Sequence, residues 1–265
     1  GNTISQRYLY EQNIYFLTGS GYTLLQQEDE QEQRVEWQQG DLFSVPLNVP
    51  HRHVNTGPEQ ARMLIVSSFP LMLNVLGSEE FIADNPFAFT DRYDGAEDYF
   101  DRADPLDDLA VSTNFVKDVP HTETRPYGHY GRGNQTMRWL MAGNSMLSLH
   151  ISEMLPEHYN KAHRHSSDAF ILLLSGTCFS LTWPEAAFQD HVRVDWKAGT
   201  LFTPPTYWYH QHLNTGSTPA RYLAINVPVF VRNIGLRFSD QLEVDIEEVR
   251  NEWNKALEKN SRDQQ

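Results

Sequence analysis

Histidines in two short clusters are the residues of this sequence best suited to chemistry. His163 and His165 are separated by one residue, and His210 and His212 repeat that spacing further along the chain. Residues two apart in a β-strand point to the same face of the sheet. If the two strands are neighbours inside one barrel, their imidazoles converge, and imidazole is a good ligand for iron, nickel, copper and zinc. We therefore predict a metal site whose ligands are His163, His165 and His210.

Other side chains near these histidines are candidates for proton transfer and substrate binding. The acid/base candidates are His212, which is alternatively a fourth ligand, and Tyr209. Lys161 and Arg221 are cations that could hold a carboxylate substrate, with a solvated strand end and a structural ion pair as their respective alternatives. Strand parity puts Trp208 on the inward face beside the histidines, where it would form an aromatic wall.

The second histidine cluster lies in one half of an internal repeat. Residues 40–57 (GDLFSVPLNVPHRHVNTG) align without a gap with residues 199–216 (GTLFTPPTYWYHQHLNTG), at an offset of 159 residues from Gly40 to Gly199. In this alignment, His51 and His53 match the histidines at 210 and 212. A repeat of this length indicates two copies of one structural unit.

An upstream block also repeats, but one copy has lost the candidate ligands. Residues 6–19 align with residues 163–176, and Gln6 and Tyr8 stand where the second copy has histidines. The two histidines that remain in the first copy lie on one predicted strand and make a weak site at best. We expect the first copy to be structural or to support dimerisation, with a metal-free pocket for another small molecule as the alternative.

Short β-strands must position these clusters. Pro and Gly recur between short stretches rich in Val, Ile, Phe, Tyr and Trp, a pattern typical of strands and turns. Helical spacing occurs only near the C-terminus, where residues 244–259 place Ile246, Val249, Trp253 and Leu257 on one face. The sequence therefore predicts an all-β fold with a C-terminal α-helix.

The two motifs together resemble the cupin superfamily. Its first motif is HxH followed by a Glu and a Gly, and its second contains Gly, Pro, His and Asn. The corresponding residues here are His163, His165, Gly176, Gly199, Pro205, His210 and Asn214. The stretches AHRHSSDAF, TWPE, VDWKAGT, YHQHLNTG and PARYLA are most similar to gentisate 1,2-dioxygenase-like bicupins and to ethanolamine ammonia-lyase-activating-type cupins. The resemblance implies two tandem cupin barrels, each a double-stranded β-helix or jelly roll.

One residue departs from the superfamily motif. The glutamate that usually completes the ligand set would fall at Ala169, which cannot bind a metal. Gentisate-type cupins also lack this glutamate and use three histidines. The resemblance therefore implies a three-histidine site with open coordination positions.

The repeat and the resemblance together suggest a division of the chain into four segments. We predict a first barrel at residues 1–69, a connecting segment at 70–135, a metal-binding second barrel at 136–235 and a helical tail at 236–265. The first residues already resemble a strand, so we expect the natural chain to extend upstream of Gly1.

The resemblance implies a mononuclear non-haem metal enzyme. Fe(II) is the expected metal, with Mn, Ni or Zn as alternatives. The expected reaction is a dioxygenation of a small hydroxylated, aromatic or aliphatic, carboxylic acid by O₂. One alternative is a lyase, isomerase or hydrolase that uses the metal as a Lewis acid. Another is a cupin that binds a small ligand without turnover.

Composition excludes several other classes of function. A formal net charge of −14 disfavours nucleic acids and anionic membranes as partners, and no apolar run is long enough for a transmembrane helix. Cys178 is the only cysteine, which rules out an intramolecular disulfide and fits a cytoplasmic protein. Open cupin barrels expose sheet edges, and gentisate-type cupins associate, so we expect a homodimer or a higher homo-oligomer.

Overall fold

Two units of antiparallel β-strands make up the chain in a computed structural model. The structure describes residues 1–26, 32–141, 146–185, 187–226 and 228–263. The first unit comprises residues 1–121 and 139–148, and the second comprises residues 122–138 and 149–265. Within the predicted connecting segment, residues 70–121 thus group with the first unit and residues 122–135 with the second.

The first unit contains all of the described strands up to residue 121 and two short helices. Its strands are β1 (Gln12–Thr18), β2 (Ser20–Leu25), β3 (Gln33–Gln38), β4 (Leu42–Val45), β5 (His51–Asn55), β6 (Arg62–Ser67), β7 (Ala103–Asp107), β8 (Ala110–Thr113) and β9 (Phe115–Val116). Its helices are α1 (Phe69–Leu76) and α2 (Glu79–Ala83). One sheet has the strand order β6-β1-β4-β9 and a second has the order β3-β2-β5.

Aromatic side chains fill the core of the first unit. Phe16 stacks on Trp37 with ring centroids 4.2 Å apart, and both are buried. The acidic and aromatic part of the connecting segment adds Tyr93, Tyr99 and Phe100 to the same core. Burial of each large aromatic ring contributes roughly 2 kcal/mol or more to folding. This segment is therefore ordered by packing against the first unit.

The strands from residue 125 onward repeat this plan and add a C-terminal segment. They are β10 (Arg125–Pro126), β11 (Asn134–Met141), β12 (Ser148–Met154), β13 (His158–Tyr159), β14 (His163–His165), β15 (Ala169–Ser175), β16 (Cys178–Trp183), β17 (Val192–Trp196), β18 (Leu201–Phe202), β19 (Tyr209–Asn214), β20 (Ala220–Asn226) and β21 (Ser239–Gln241). The helices are α3 (Pro228–Asn233) and α4 (Glu247–Asp263).

Strand pairing reproduces the sequence repeat. In the first unit β1 pairs with β4 and β6, and β2 pairs with β3 and β5. In the second unit β15 pairs with β18 and β20, and β16 pairs with β17 and β19. The same four antiparallel pairings therefore occur in each copy, which confirms the predicted all-β fold with two tandem barrels.

A glycine at the same place in both copies makes the turn between β1 and β2 in the first copy and between β15 and β16 in the second. Gly19 has φ +90° and Gly176 has φ +81°, a region that residues with a Cβ rarely adopt. A Cβ at Gly176 would lie 2.5 Å from the Pro219 carbonyl oxygen, and one at Gly19 would lie 2.7 Å from the Ala61 Cα. Both glycines therefore permit a close approach of two strands.

Helix α4 confirms the predicted C-terminal helix, displaced towards the C-terminus by a few residues. Val249 is buried, and Ile246 and Trp253 pack on the same cluster, as the helical spacing predicted, and the cluster also contains Ala256, the residue before the predicted Leu257. That cluster includes Tyr209 and Leu213 of β19, so α4 covers the outer face of this strand. No helix among the described residues has both the length and the apolar character needed to cross a bilayer.

Candidate metal centre

Two neighbouring strands bring the predicted ligands together. Strands β14 and β19 are antiparallel partners, and His163 lies directly opposite His210. Their ring centroids are 4.3 Å apart, and the ring of His165 is 4.9 Å from that of His210. The ligand-capable nitrogens of all three residues lie within 4.8 Å of one another, so this triad could hold a metal ion.

Hydrogen bonds to backbone carbonyls set the tautomer of each imidazole. A carbonyl oxygen can only accept, so each Nδ1 carries the proton and donates it, which leaves the Nε2 lone pair free for a metal. Such bonds also fix the orientation of the ring. The accepting oxygens are those of Lys161 (2.9 Å from His163), Ser167 (2.6 Å from His165) and Trp208 (3.2 Å from His210).

Burial keeps the three imidazoles in the neutral form that metals require. Desolvation lowers the pKa of His163 to about 3, and it also lowers the pKa of His165 and of His210. The neighbouring imidazoles lower the pKa of His210 further. At neutral pH the site therefore offers three neutral nitrogen donors, a set that fits a divalent transition metal.

Ala169, at the position where a cupin glutamate was expected, belongs to the buried core. Its side chain packs in an apolar cluster with Ile171 and Ala224 and is 5% exposed. Among the described residues, no carboxylate lies close enough to the three imidazoles to complete the ligand set. A bound divalent ion would thus keep its full positive charge.

His212 lies beside the triad without joining it. Its ring centroid is 5.7 Å from that of His210 and 6.4 Å from that of His163. Its Nδ1 lies 2.6 Å from the Ser180 hydroxyl oxygen, and desolvation holds its pKa well below the usual value. Aromatic rings surround it: those of Trp196, Phe202 and Tyr222 have centroids 4.9, 6.0 and 5.5 Å away. Its predicted acid/base role stays a prediction.

The Tyr209 side chain lies on the opposite face of β19 from His210. Its ring packs in the cluster beneath α4, and its hydroxyl donates to the Asp240 carboxylate at 2.5 Å. Burial, with the acceptor Asp240, raises the pKa of the phenol to about 12. The structure does not bring this hydroxyl to the triad, because successive residues of a strand face opposite sides.

Lys161 and Arg221, the predicted substrate-binding cations, both form ion pairs. The Lys161 Nζ lies 2.6 Å from the carboxylate of Glu243. Arg221 Nη1 lies 2.6 Å from the carboxylate of Glu153, and its Nη2 donates to the carbonyl of Thr122. These partners agree with the structural alternatives weighed for the two cations, and their role in substrate binding stays a prediction.

Trp208 immediately precedes β19 and is half-buried. The backbone N–H of Trp208 closes a turn by donating to the Pro205 carbonyl at 3.0 Å. Its backbone carbonyl accepts from the Nδ1 of His210. Trp208 thus lies just outside β19, and its predicted place as an aromatic wall of the site stays a prediction.

Tyr130 and Tyr222 adjoin the histidines but were not among the predicted residues. The Tyr130 ring stacks on the His163 imidazole, with centroids 4.6 Å apart and planes inclined by 29°. Tyr222 alternates with Arg221 on β20 and faces His212 instead of solvent. Strand parity could have found Tyr222, whereas nothing in the local sequence connects Tyr130 with a residue 33 positions later in the chain.

In the first unit, a glutamine amide stands at the position of the first ligand. Gln6 lies opposite His51, as His163 lies opposite His210. The His51 Nδ1 donates to the Val49 carbonyl at 2.9 Å, and its Nε2 accepts a long hydrogen bond from the Gln6 amide at 3.5 Å. The Tyr8 hydroxyl donates to the side-chain amide oxygen of Gln6, Oε1, at 2.7 Å. Side-chain hydrogen bonds thus replace metal ligands here.

Comparison with known sequences finds a family profile that matches the first repeat. Residues 9–67 match the profile described as the cupin domain. No curated protein matches the chain significantly by sequence. The matched residues include β1 to β6, which correspond strand for strand to β15 to β20 of the second repeat.

Comparison with solved structures covers almost the whole chain. The salicylate 1,2-dioxygenase of Pseudaminobacter salicylatoxidans matches with a TM-score of 0.64 and 12% identity, over 91% of this chain and 72% of that one. Its adduct with gentisate gives a TM-score of 0.64 and 11% identity, over 92% and 69%. Oxalate decarboxylase of Bacillus subtilis gives a TM-score of 0.52 and 14% identity, over 84% and 65%. At these identities the likeness concerns the fold alone.

Proposed function

We propose that this protein, which has the bicupin fold, is a mononuclear non-haem metal enzyme with its metal in the second barrel. Its most fitting reaction is a dioxygenation of a small hydroxylated carboxylic acid. The observation that carries this proposal is the triad of His163, His165 and His210, whose Nδ1 atoms donate to carbonyls and whose Nε2 atoms remain available.

The charge of the site favours an anionic, chelating substrate. Three neutral imidazoles leave the charge of a divalent ion uncompensated, and Ala169 supplies no carboxylate. Three protein ligands also leave coordination positions open for exogenous groups. A carboxylate and an adjacent hydroxyl of one substrate molecule supply two oxygen donors and the missing negative charge. When bound, Fe(II) supplies the one-electron chemistry that lets dioxygen react with an organic molecule.

The surrounding residues suit an aromatic or similarly flat substrate. Trp196, Phe202 and Tyr222 form an apolar wall around His212, and such a wall excludes water and accepts a ring by stacking. His212 lies beside the triad, with its ring centroid 5.7 Å from that of His210, which places its imidazole to exchange a proton with a substrate hydroxyl bound there. The Ser180 hydroxyl at its Nδ1 holds the ring in place.

The solved relatives support the same substrate class. One acts on salicylate and forms an adduct with gentisate, and both molecules carry a carboxylate beside a phenolic hydroxyl. The other, an oxalate decarboxylase, supports a second candidate. In that candidate the same triad holds a metal that acts as a Lewis acid in a lyase reaction without net oxygen consumption.

Oxygen uptake tests the proposal. We would reconstitute metal-free protein with Fe(II) under anaerobic conditions and then add oxygen with salicylate, gentisate or an aliphatic 2-hydroxy acid. We expect oxygen to be consumed in proportion to substrate, and the His210→Ala variant to abolish this. His51→Ala is the matched control, because His51 holds the same position in the first barrel, and it should leave the rate unchanged.

Two results would contradict the dioxygenase. Substrate conversion at the same rate without oxygen would favour the lyase candidate. Full activity in the His210→Ala variant would remove the second barrel as the site of reaction.

A further inference from the structure

The strand that carries two of the three ligands is only three residues long and is held on both sides. On one side, His163 of β14 pairs with His210 of β19. On the other side, β14 pairs with β21 over its whole length, and Arg164 lies opposite Asp240. A strand this short has little stability of its own, so its position depends on these two neighbours.

The segment that supplies β21 is fastened along its length. We call residues 236–245 the strap. Its backbone joins the barrel where Ser166 N donates to the Phe238 carbonyl at 3.1 Å and where Leu242 N donates to the Ala162 carbonyl at 2.9 Å. Three carboxylates of the strap also accept hydrogen bonds from the barrel. Asp240 accepts from Arg164 and Tyr209, and Glu243 accepts from Lys161. Asp245 accepts from Tyr159 and Gln211.

Arg164 anchors the ligand strand from the face opposite the metal site. It stands between His163 and His165 in the sequence, so strand alternation turns its side chain away from them. The guanidinium lies 3.1 Å from Asp240 and 2.6 Å from Glu185, and only 12% of the side chain is exposed. It also lies over the ring of Tyr209, 4.7 Å from the centroid.

One carboxylate connects the two strands that carry the ligands. The same oxygen of Asp240, Oδ2, accepts from Arg164 Nε on β14 at 3.2 Å and from the Tyr209 hydroxyl on β19 at 2.5 Å. Arg164 is flanked by two ligands, and Tyr209 immediately precedes the third. A displacement of either strand would break one of these bonds.

We infer that Asp240 is a positioning residue of the metal centre, which holds the strand of His163 and His165 in register with the strand of His210. Outer groups that orient metal ligands affect metal affinity even though they do not touch the metal. This inference rests on the proposed metal centre in the second barrel. It also gives Tyr209 a function different from the predicted one: its hydroxyl is a tether for Asp240 and not an acid or base.

Titration of metal-free protein with Co(II) tests the inference without any turnover. Co(II) bound by nitrogen ligands has visible absorption bands that report both affinity and ligand geometry. We expect Asp240→Asn to weaken Co(II) binding by about 10- to 100-fold and to shift these bands. Tyr209→Phe removes one of the two tethers and should weaken binding by a smaller factor in the same direction.

Glu153→Gln is the matched control. Glu153 forms an ion pair with Arg221 at 2.6 Å in the same unit, away from β14, and its carboxylate is closer to its partner and more buried than that of Asp240. We expect this variant to bind Co(II) within twofold of the unsubstituted protein. Thermal unfolding of each metal-free variant shows that the protein is folded before titration.

The possible results distinguish an incorrect positioning role for Asp240 from an incorrect metal centre. Unchanged Co(II) affinity and spectrum in a folded Asp240→Asn protein would overturn the positioning role. So would an equal loss in Glu153→Gln, because the effect would then be general destabilisation. If the unsubstituted protein binds no Co(II), the metal centre itself is wrong, and the inference falls with it.

Discussion

His163 and His210 face each other across β14 and β19 with ring centroids 4.3 Å apart, and in the first unit Gln6 and His51 hold the same register. The two barrels thus present one scaffold with two different sets of side chains. In the second barrel the facing pair is two imidazoles, and in the first it is an amide and an imidazole. This difference underlies the first prediction.

Two substitutions should create a metal site in the first barrel. Gln6→His together with Tyr8→His restores the residues present in the second barrel, and His51 already donates its Nδ1 proton to a carbonyl. We expect elemental analysis to find about one additional metal ion per chain. The single variant Gln6→His offers two facing imidazoles and should bind much more weakly. An unchanged metal content in the folded double variant would show that the shared register is insufficient.

Removal of one triad member should empty the second barrel. His163→Ala leaves two imidazoles, and two neutral donors hold a divalent ion poorly. We expect metal content after dialysis to fall at least about tenfold, measured by elemental analysis. His121→Ala is the control, because that histidine is 81% exposed and belongs to the first unit. Retention of full metal content by His163→Ala would refute the ligand assignment.

Stability should decrease in mildly acidic solution, in part through His53. Desolvation lowers the pKa of this histidine to about 4 in the folded protein, against an ordinary value of 6.5. Below about pH 6.5, His53 therefore binds a proton in the unfolded chain, whereas in the folded chain it does so only below about pH 4. The contribution of neutral His53 to the free energy of unfolding is complete above pH 6.5. It is lost as the pH falls towards 4, and the total loss is up to about 3 kcal/mol.

Urea unfolding of the metal-free protein between pH 7.5 and 4.5 measures this effect. His53→Gln cannot take up a proton, so its free energy of unfolding should change less over this range than that of the unsubstituted protein. Equal slopes in the two proteins would mean that His53 does not carry the effect.

Gly176 should tolerate a side chain far less well than Gly199. Both have positive φ, +81° and +86°, so either change to alanine costs about 1–2 kcal/mol in backbone strain. At Gly176 the new Cβ would also lie 2.5 Å from the Pro219 carbonyl oxygen, whereas nothing lies within 4 Å at Gly199. We expect Gly176→Ala to lose about 3 kcal/mol or more by chemical denaturation. Equal losses of stability in Gly176→Ala and Gly199→Ala would show that the chain near Gly176 moves apart at little cost to admit the new Cβ.

Much of the architecture could be predicted from the sequence because it depends on local periodicity and on an internal repeat. The repeat offset predicted which strands correspond, and the twofold period of a strand predicted that His163 and His165 share a face. The helical spacing of Ile246, Val249 and Trp253 predicted the face of α4 that packs on the barrel. The same parity, applied to Tyr209, would have placed it opposite His210 and away from the triad.

What the sequence by itself determined, then, was the identity of the triad, its loss from the first repeat and the two-barrel plan. Tertiary structure alone decided that Asp240 joins both ligand strands, that Tyr130 stacks on His163 and that Lys161 pairs with Glu243. The physical reason is range. Periodicity fixes which neighbours along one strand share a face, whereas contacts between residues tens of positions apart depend on how strands and connecting segments pack.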